Sequence, residues 1–214
     1  YVAEKIGCHE DEVLVMSTGV IGVQLPMDKI KHGVDLAVEN LGENNWDKAA
    51  RAIMTTDTHP KEASISDNGY TIAGIAKGAG MIAPNMATML GFMVTDVVLS
   101  AQDAKTALQQ AAGTTFNRIV VDGDMSTNDT VLLLANGVSG VKASSQVATP
   151  LHAVSKQLAQ AIVRDGEGVT KFVTIKVQGA NDDESARLIA NTIATSPLVK
   201  TAFYGNDANW GRLI

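Results

Sequence analysis

Lys77-Gly-Ala-Gly-Met-Ile-Ala-Pro-Asn-Met-Ala-Thr-Met-Leu90 is the stretch whose reading separates the folds open to this chain. Gly78-Ala-Gly-Met-Ile-Ala83 matches the dinucleotide pattern G-x-G-x-x-[GA] on paper, but that pattern needs a helix opening at the second glycine. Pro84 disfavours helical geometry at Ala83, so the match is accidental. A phosphate-binding P-loop fails too, because Gly74 is followed by Ile75 instead of a Lys-Ser/Thr step. What is left is a segment bent by glycine and proline that opens, from Thr88, into an apolar, strand-like run. A hydroxyl just past such a bend can attack the carbonyl before it and free its own α-amino group. Thr88 is therefore a candidate nucleophile that carries its own general base.

Upstream of this stretch, Glu62–Ile65 and Tyr70–Ala76 flank Ser66-Asp-Asn-Gly69, a hairpin signal. Earlier still, Val13–Ser17 reads as a short buried strand ending in Thr18-Gly19. Pro26 sits where a helix can start, and Met27–Leu41 carries Ile30, Val34, Ala37, Val38 and Leu41 at helical spacing, closed by Gly42. A second helix is expected over Asn45–Ile53. Downstream, Thr88–Val98 reads as a strand, and Ser100 caps a helix from Ala101 to Ala112 with Asp103 placed for a capping box. Arg118–Val121 reads as a strand, Asp122–Thr130 as a polar loop, and Val131–Ala135 as either helix or strand. Pro150–Arg164 is a helix with Leu151, Val154, Leu158 and Ile162 on one face. Val169–Gly179 alternates as a strand, Asn181 with Glu184 caps a helix through Ala194, and Val199–Tyr204 is a last strand. Hairpins mixed with strand–helix alternation predict an α/β (α+β) fold, with mixed β-sheet layers covered by helices.

Composition narrows the function. The 214 residues are 45% hydrophobic and carry a formal net charge of −6, ordinary for a globular protein with a real core. The acidic balance argues against a nucleic-acid surface or an anionic membrane as partner. No apolar run approaches the length of a membrane span, and no charged-then-apolar leader opens the chain. One cysteine, Cys8, leaves no internal disulfide and points to the cytosol or an organelle matrix. Tyr1 opens without a methionine and Leu213-Ile214 closes on two apolar residues, as expected of a piece of a longer protein.

Three further points could carry chemistry. Thr18-Gly19 offers a hydroxyl and an unencumbered backbone N–H, a donor pair able to stabilise a tetrahedral oxyanion, each worth about 3 kcal/mol when well placed. Lys77, alone in a long uncharged run, either snorkels to solvent or offers its charge to a carboxylate ligand. Glu167, between glycines in Asp165-Gly-Glu-Gly168, suits a substrate ammonium or a solvated turn. Taken singly, each is better explained by a plain structural role. Asp122, Asp124 and Ser126 have calcium-loop spacing, but Thr127 replaces the required glycine and Leu133 the terminal glutamate, leaving a hydrogen-bonded turn or a substrate-side loop. Cys8-His9-Glu10 cannot converge on one ion, and His9, His32, His59 and His152 lack ligand spacing, so no metal site is expected.

Together the segments Ser17-Thr-Gly19, Thr55-Thr-Asp-Thr58, Lys77 to Leu90, Asp122-Gly-Asp-Met-Ser-Thr-Asn-Asp129, Asp165-Gly-Glu-Gly-Val-Thr-Lys171 and Asn209-Trp-Gly-Arg212 resemble, in this order, the ornithine N-acetyltransferases (glutamate N-acetyltransferases) of arginine biosynthesis. The resemblance covers essentially the whole chain. It implies a self-processing acyltransferase with an N-terminal threonine, cleaved between Ala87 and Thr88. Residues 1–87 would then be the C-terminal part of an α chain and residues 88–214 the N-terminal part of a β chain, in one intertwined catalytic unit. It further implies that Thr88 takes the acetyl group as an ester and also contacts substrate. Thr18 (side chain) and Gly19 (backbone N–H) would form the oxyanion hole, and Thr55, Lys77 and Glu167 would bind substrate, with Thr56 and Thr58 lying beside Thr55. The implied reaction moves acetyl from N2-acetylornithine to glutamate with no bound cofactor, acetyl-CoA being a candidate co-substrate. The implied partners are the α and β chains themselves, in a heterotetramer or larger assembly, in the cytoplasm or, in a eukaryote, the mitochondrial matrix. A related self-processing aminopeptidase or amidohydrolase, or an inactive binding and assembly domain, are the competing readings. Family members extend beyond both ends of this chain, and their later segment supplies an asparagine and a threonine to the substrate site that have no counterpart here.

Overall fold

Three helices lead the chain, α1 (Val2–Ile6), α2 (Met27–Glu39) and α3 (Trp46–Ala52). Beyond them, Asn68 and Gly69 take φ of 51° and 84°, the left-handed pair that a two-residue hairpin turn demands. They fold β1 (Lys61–Asp67) back onto β2 (Tyr70–Lys77). The computed structural model describes residues 1–43, 45–83, 89–143 and 146–214. Among them β2 pairs antiparallel with β3 (Leu90–Thr95), and β3 pairs in parallel with β4 (Thr130–Ala135), giving one mixed sheet in the order β1-β2-β3-β4. A parallel pair needs a crossover, and α4 (Ala101–Thr114) supplies it. The Asp103 N–H donates to Ser100 Oγ at 3.0 Å to cap that helix.

α5 (Ala148–Arg164) lies across β1 and β2 and against α4. Its Leu151, Val154, Leu158 and Ile162 are wholly buried, three or four residues apart, against Ile72 and Met93. Phe92 alternates with Met93 along β3 and turns to the other face, where the Trp46 ring of α3 lies 6.4 Å away. α6 (Asp183–Thr195) and α7 (Pro197–Tyr204) pack on each other, and Lys200 Nζ donates to the Val121 carbonyl. Exposed apolar side chains gather in 14–41 and 188–214, among them Val15, Val20, Ile21 and Leu188.

Several expectations are corrected. Val13–Ser17 and Val169–Gly179 are irregular, because no neighbouring strand offers them ladder hydrogen bonds among the described residues. Arg118–Val121 is not a strand either: a 3₁₀ turn over Phe116–Arg118 runs into a loop anchored by Val121 N–H on the Ile82 carbonyl at 2.8 Å. Val199–Tyr204 is helical. Ser196 caps it and Pro197 occupies its first turn, a start signal that outweighs β-branched Val199. The cap of α6 is Asp182, one residue past Asn181. Val131–Ala135, open between helix and strand, is the strand β4 because β3 is there to pair with it.

Candidate active site

β2 ends at Lys77, and the loop that follows is held from three directions. Gly78 takes φ of 145° and donates its N–H to Asp57 Oδ1 at 2.7 Å. Met81, with φ of 52°, donates to Asp122 Oδ2 at 2.6 Å, and Ile82 N–H reaches Asp122 Oδ1 at 3.0 Å. A non-glycine residue in the left-handed region is uncommon, and two charge-assisted bonds to one carboxylate hold it there. On the far side, Met89 N–H donates to Asp129 Oδ1 at 2.8 Å. Two carboxylates of one polar loop thus fix the backbone before and after residues 84–88. Ala87 and Thr88 lie outside the described residues.

Around this loop the structure gathers three of the sequence candidates. Lys77 is almost wholly buried, and its Nζ approaches Thr55 Oγ1 at 3.5 Å. Among the described residues no carboxylate stands within ion-pair distance of it. Glu167 N–H donates to the Ala79 carbonyl at 2.7 Å, which seats Glu167 beside the loop. Its carboxylate lies so close to Gly80 that an added Cβ there would fall 2.6 Å from Glu167 Cδ. Thr55 and Lys77 thus meet where β2 enters the loop, and Glu167 lies against the same loop two to three residues further on. Thr58, an exposed residue, instead donates through N–H (3.0 Å) and hydroxyl to buried Asp165.

Beneath the loop lies a buried ion triad. Lys61 Nζ, fully inaccessible, contacts Asp57 Oδ1 at 2.5 Å and Asp165 Oδ2 at 2.6 Å. Asp165 caps the C-terminus of α5, so Lys61 also sits near a helix end that favours a cation. Burial pushes the Asp57 carboxyl up, but Lys61 and the N–H groups of Gly78 and Thr55 outweigh it and hold the carboxyl below the usual carboxylate range. Asp165 is likewise held low, burial being overcome by Lys61 and Thr58. Burial drives the Lys77 ammonium downward against the pull of Asp57 and Asp129, and drives Asp129 upward against Met89 N–H and Lys77.

Thr18 is half-buried and Gly19 exposed in the irregular 13–26 stretch. Among the described residues no hydrogen bond joins either to the Lys77 cluster. His59 stands 3.2 Å from Asp165 at the surface. Within the described residues no group of three His, Cys, Asp or Glu is arranged to hold a metal ion. Sequence reasoning missed Asp57, Lys61, Asp165 and Asp129 as structural members of the site, whereas Asp122, read as part of a hydrogen-bonded turn or a substrate-side loop, does form such a turn with Asp124 N–H. Lys61 carried a usable signal: it precedes Ala63 and Ile65 at the two-residue period of the buried face of β1, where a lysine needs a partner.

Fold and site define an α/β protein with a buried lysine and a glutamate at a glycine-rich loop between two antiparallel strands of a mixed sheet. The ArgJ family model matches residues 1–214, and the chain belongs to the ArgJ family. It is 52% identical to the arginine biosynthesis bifunctional protein ArgJ of Geobacter sulfurreducens, over 99% of this chain and 57% of that protein. It is 51% identical to the mitochondrial ArgJ of Schizosaccharomyces pombe, over 94% of this chain and 48% of that protein. The crystal structure of ArgJ from Bacillus halodurans matches with a TM-score of 0.53 and 41% identity, over 55% of this chain and 59% of that one. The chain thus spans about half the length of the curated relatives it matches.

Proposed function

We propose that the protein to which this chain belongs is a glutamate N-acetyltransferase of arginine biosynthesis, moving acetyl from N2-acetylornithine to glutamate through an acetyl-Thr88 ester. The observation that carries the reading is the convergence of Thr55, Lys77 and Glu167 on the loop that leads to Thr88. An amino-acid substrate carries a carboxylate and an ammonium, and that loop offers a buried cation and an anion to meet them. Membership in the ArgJ family, with relatives named for arginine biosynthesis, supports the same reading.

The chemistry runs in two halves. Self-processing comes first: Thr88 Oγ attacks the Ala87 carbonyl, the peptide C–N bond breaks, and water hydrolyses the resulting ester, leaving a free Thr88 amine. In turnover that amine accepts the hydroxyl proton as Oγ attacks the acetyl carbonyl of N2-acetylornithine. Thr18 hydroxyl and Gly19 N–H stabilise the oxyanion, and ornithine leaves with the proton. The glutamate amine then attacks the acetyl ester, releasing N-acetylglutamate and restoring Thr88. No bound cofactor enters either half; acetyl-CoA is a candidate second donor. The chains on either side of residue 87 remain partners, because β2 precedes the cut and β3, which follows it, pairs along its length.

The test is an assay of the full-length protein with N2-acetylornithine, with and without glutamate. N-acetylglutamate that requires glutamate is expected. Free acetate formed irrespective of glutamate would instead mark an amidohydrolase, and the acetyltransferase reading would fall.

A further inference from the structure

Lys61 has no part in that reaction, yet it is a wholly buried charge near the site. It is fully buried at the start of β1 and engages Asp57 and Asp165 together, at 2.5 and 2.6 Å. Each carboxylate in turn holds backbone that bears a substrate candidate. Asp57 accepts from Gly78 N–H at 2.7 Å, next to Lys77, and from Thr55 N–H at 3.0 Å. Asp165 precedes Glu167 by two residues, and Glu167 N–H returns to the Ala79 carbonyl at 2.7 Å. Three segments distant in sequence are thus tied to a single ammonium.

The same contacts decide what Lys77 meets. Asp57 is bonded to the residue after Lys77 and to Thr55, whose hydroxyl is 3.5 Å from Lys77 Nζ. An Asp57 carboxylate released from Lys61 would be open to Lys77, whose ammonium its charge already attracts, and in a dry site that pairing is strong. With Asp57 committed to Lys61, the one hydrogen-bond partner of the Lys77 ammonium among the described residues is the Thr55 hydroxyl.

From this geometry we infer that Lys61 is a positioning residue of the acetyl-transfer site. By sequestering Asp57 it leaves Lys77 to the substrate carboxylate. The inference rests on the acetyltransferase reading, and its test separates the two. Steady-state kinetics are measured on full-length wild type, Lys61→Met and Lys61→Met/Asp57→Asn, with thermal melts of each. Where the methionine variant does not fold, Lys61→Gln, which keeps a donor for the carboxylates, takes its place. In the single variant Asp57 captures Lys77, so KM for N2-acetylornithine rises about tenfold or more while kcat falls less. In the double variant the neutral amide that replaces the Asp57 carboxylate cannot form an ion pair with Lys77, and KM returns to within about threefold of wild type. A single variant with lower turnover and unchanged KM means that Lys61 only supports folding, and overturns the inference. So does a KM raised equally in single and double variants. A wild type that forms no N-acetylglutamate defeats the activity itself, and the inference with it.

Discussion

Lys77 illustrates how burial sets the value of a single charge. Desolvation lowers its pKa, with Asp57 and Asp129 resisting. A lysine so shifted is charged, and able to hold a carboxylate, only below its lowered pKa. Substrate binding should therefore weaken as pH climbs through a value below the ordinary lysine pKa of about 10.4. The alkaline limb of the kcat/KM–pH profile of the full-length enzyme checks this, and a limb at or above the ordinary lysine range would count against it. Lys77→Ala should raise both Michaelis constants about tenfold or more, with a smaller effect on kcat; unaltered constants would remove Lys77 from the substrate site. Gly80 makes a second case. Its φ is not in the left-handed region, so a methyl there has no backbone penalty of that kind, but it would fall 2.6 Å from Glu167 Cδ. Gly80→Ala should displace Glu167 and raise KM for the ornithine donor while the melting temperature changes little, as kinetics and calorimetry on one preparation can establish.

The elements owe their existence to their neighbours as much as to propensity. The hairpin, α2, α3, α4 and α5 were legible because turn chemistry, caps and helical periodicity are local. Val13–Ser17 and Val169–Gly179 have strand-like composition yet form none, since a strand is half of a pair and periodicity carries no record of the other half. α7 was legible in principle, because Ser196-Pro197 is a helix start; the β-branched and aromatic residues after it suggested a strand. Packing across elements is close where β2 crosses under α5. A Cβ on Gly74 would come 2.8 Å from Met93 Cγ and 2.9 Å from Leu158 Cδ1. Gly74→Ala should accordingly cost about 1–3 kcal/mol by overpacking. Urea unfolding measures this, and an unchanged midpoint would mean that Met93 and Leu158 yield freely.

At the scale of the molecule, the sheet and the ion triad join the two sides of residue 87. Asp57 and Asp165 have carboxyls held low despite burial, through Lys61 and their N–H donors. A carboxyl whose folded pKa lies below its unfolded one adds stability that is complete above the unfolded value, about 3.9, and is lost as pH falls through the folded value. Lys61→Met leaves Asp165 without its buried cation and turns Asp57 to Lys77, and should cost about 3–5 kcal/mol at neutral pH. That deficit should shrink as pH falls from neutral, because burial without Lys61 raises the carboxyls and they are discharged by protonation before those of the wild type. Melting temperatures of the pair across pH 3–7 check it, and a deficit constant with pH would speak against the ionic account. The carboxylates Asp122 and Asp129 grip backbone on either side of 84–88. If that grip aligns the Ala87–Thr88 bond, Asp129→Ala should leave full-length protein largely uncut where the wild type yields two chains. Intact-mass spectrometry reads the difference directly, and wild-type cutting in the variant would dismiss the role.

The sequence by itself determined the glycine-bent approach to Thr88, the hairpin before it, the helices with caps or clear periodicity, and the motifs that mark the family. All of these are short-range, set by backbone sterics, capping bonds or the order of residues along a few turns. Only the tertiary structure decided that β4 is a strand, that 13–17 and 169–179 are not, and that Thr55, Lys77 and Glu167 meet at one loop. It alone set Lys61 between Asp57 and Asp165. The physical reason is that strand pairing and the neutralisation of buried charge are satisfied by partners up to 104 residues away, and no local pattern records which distant group will supply them.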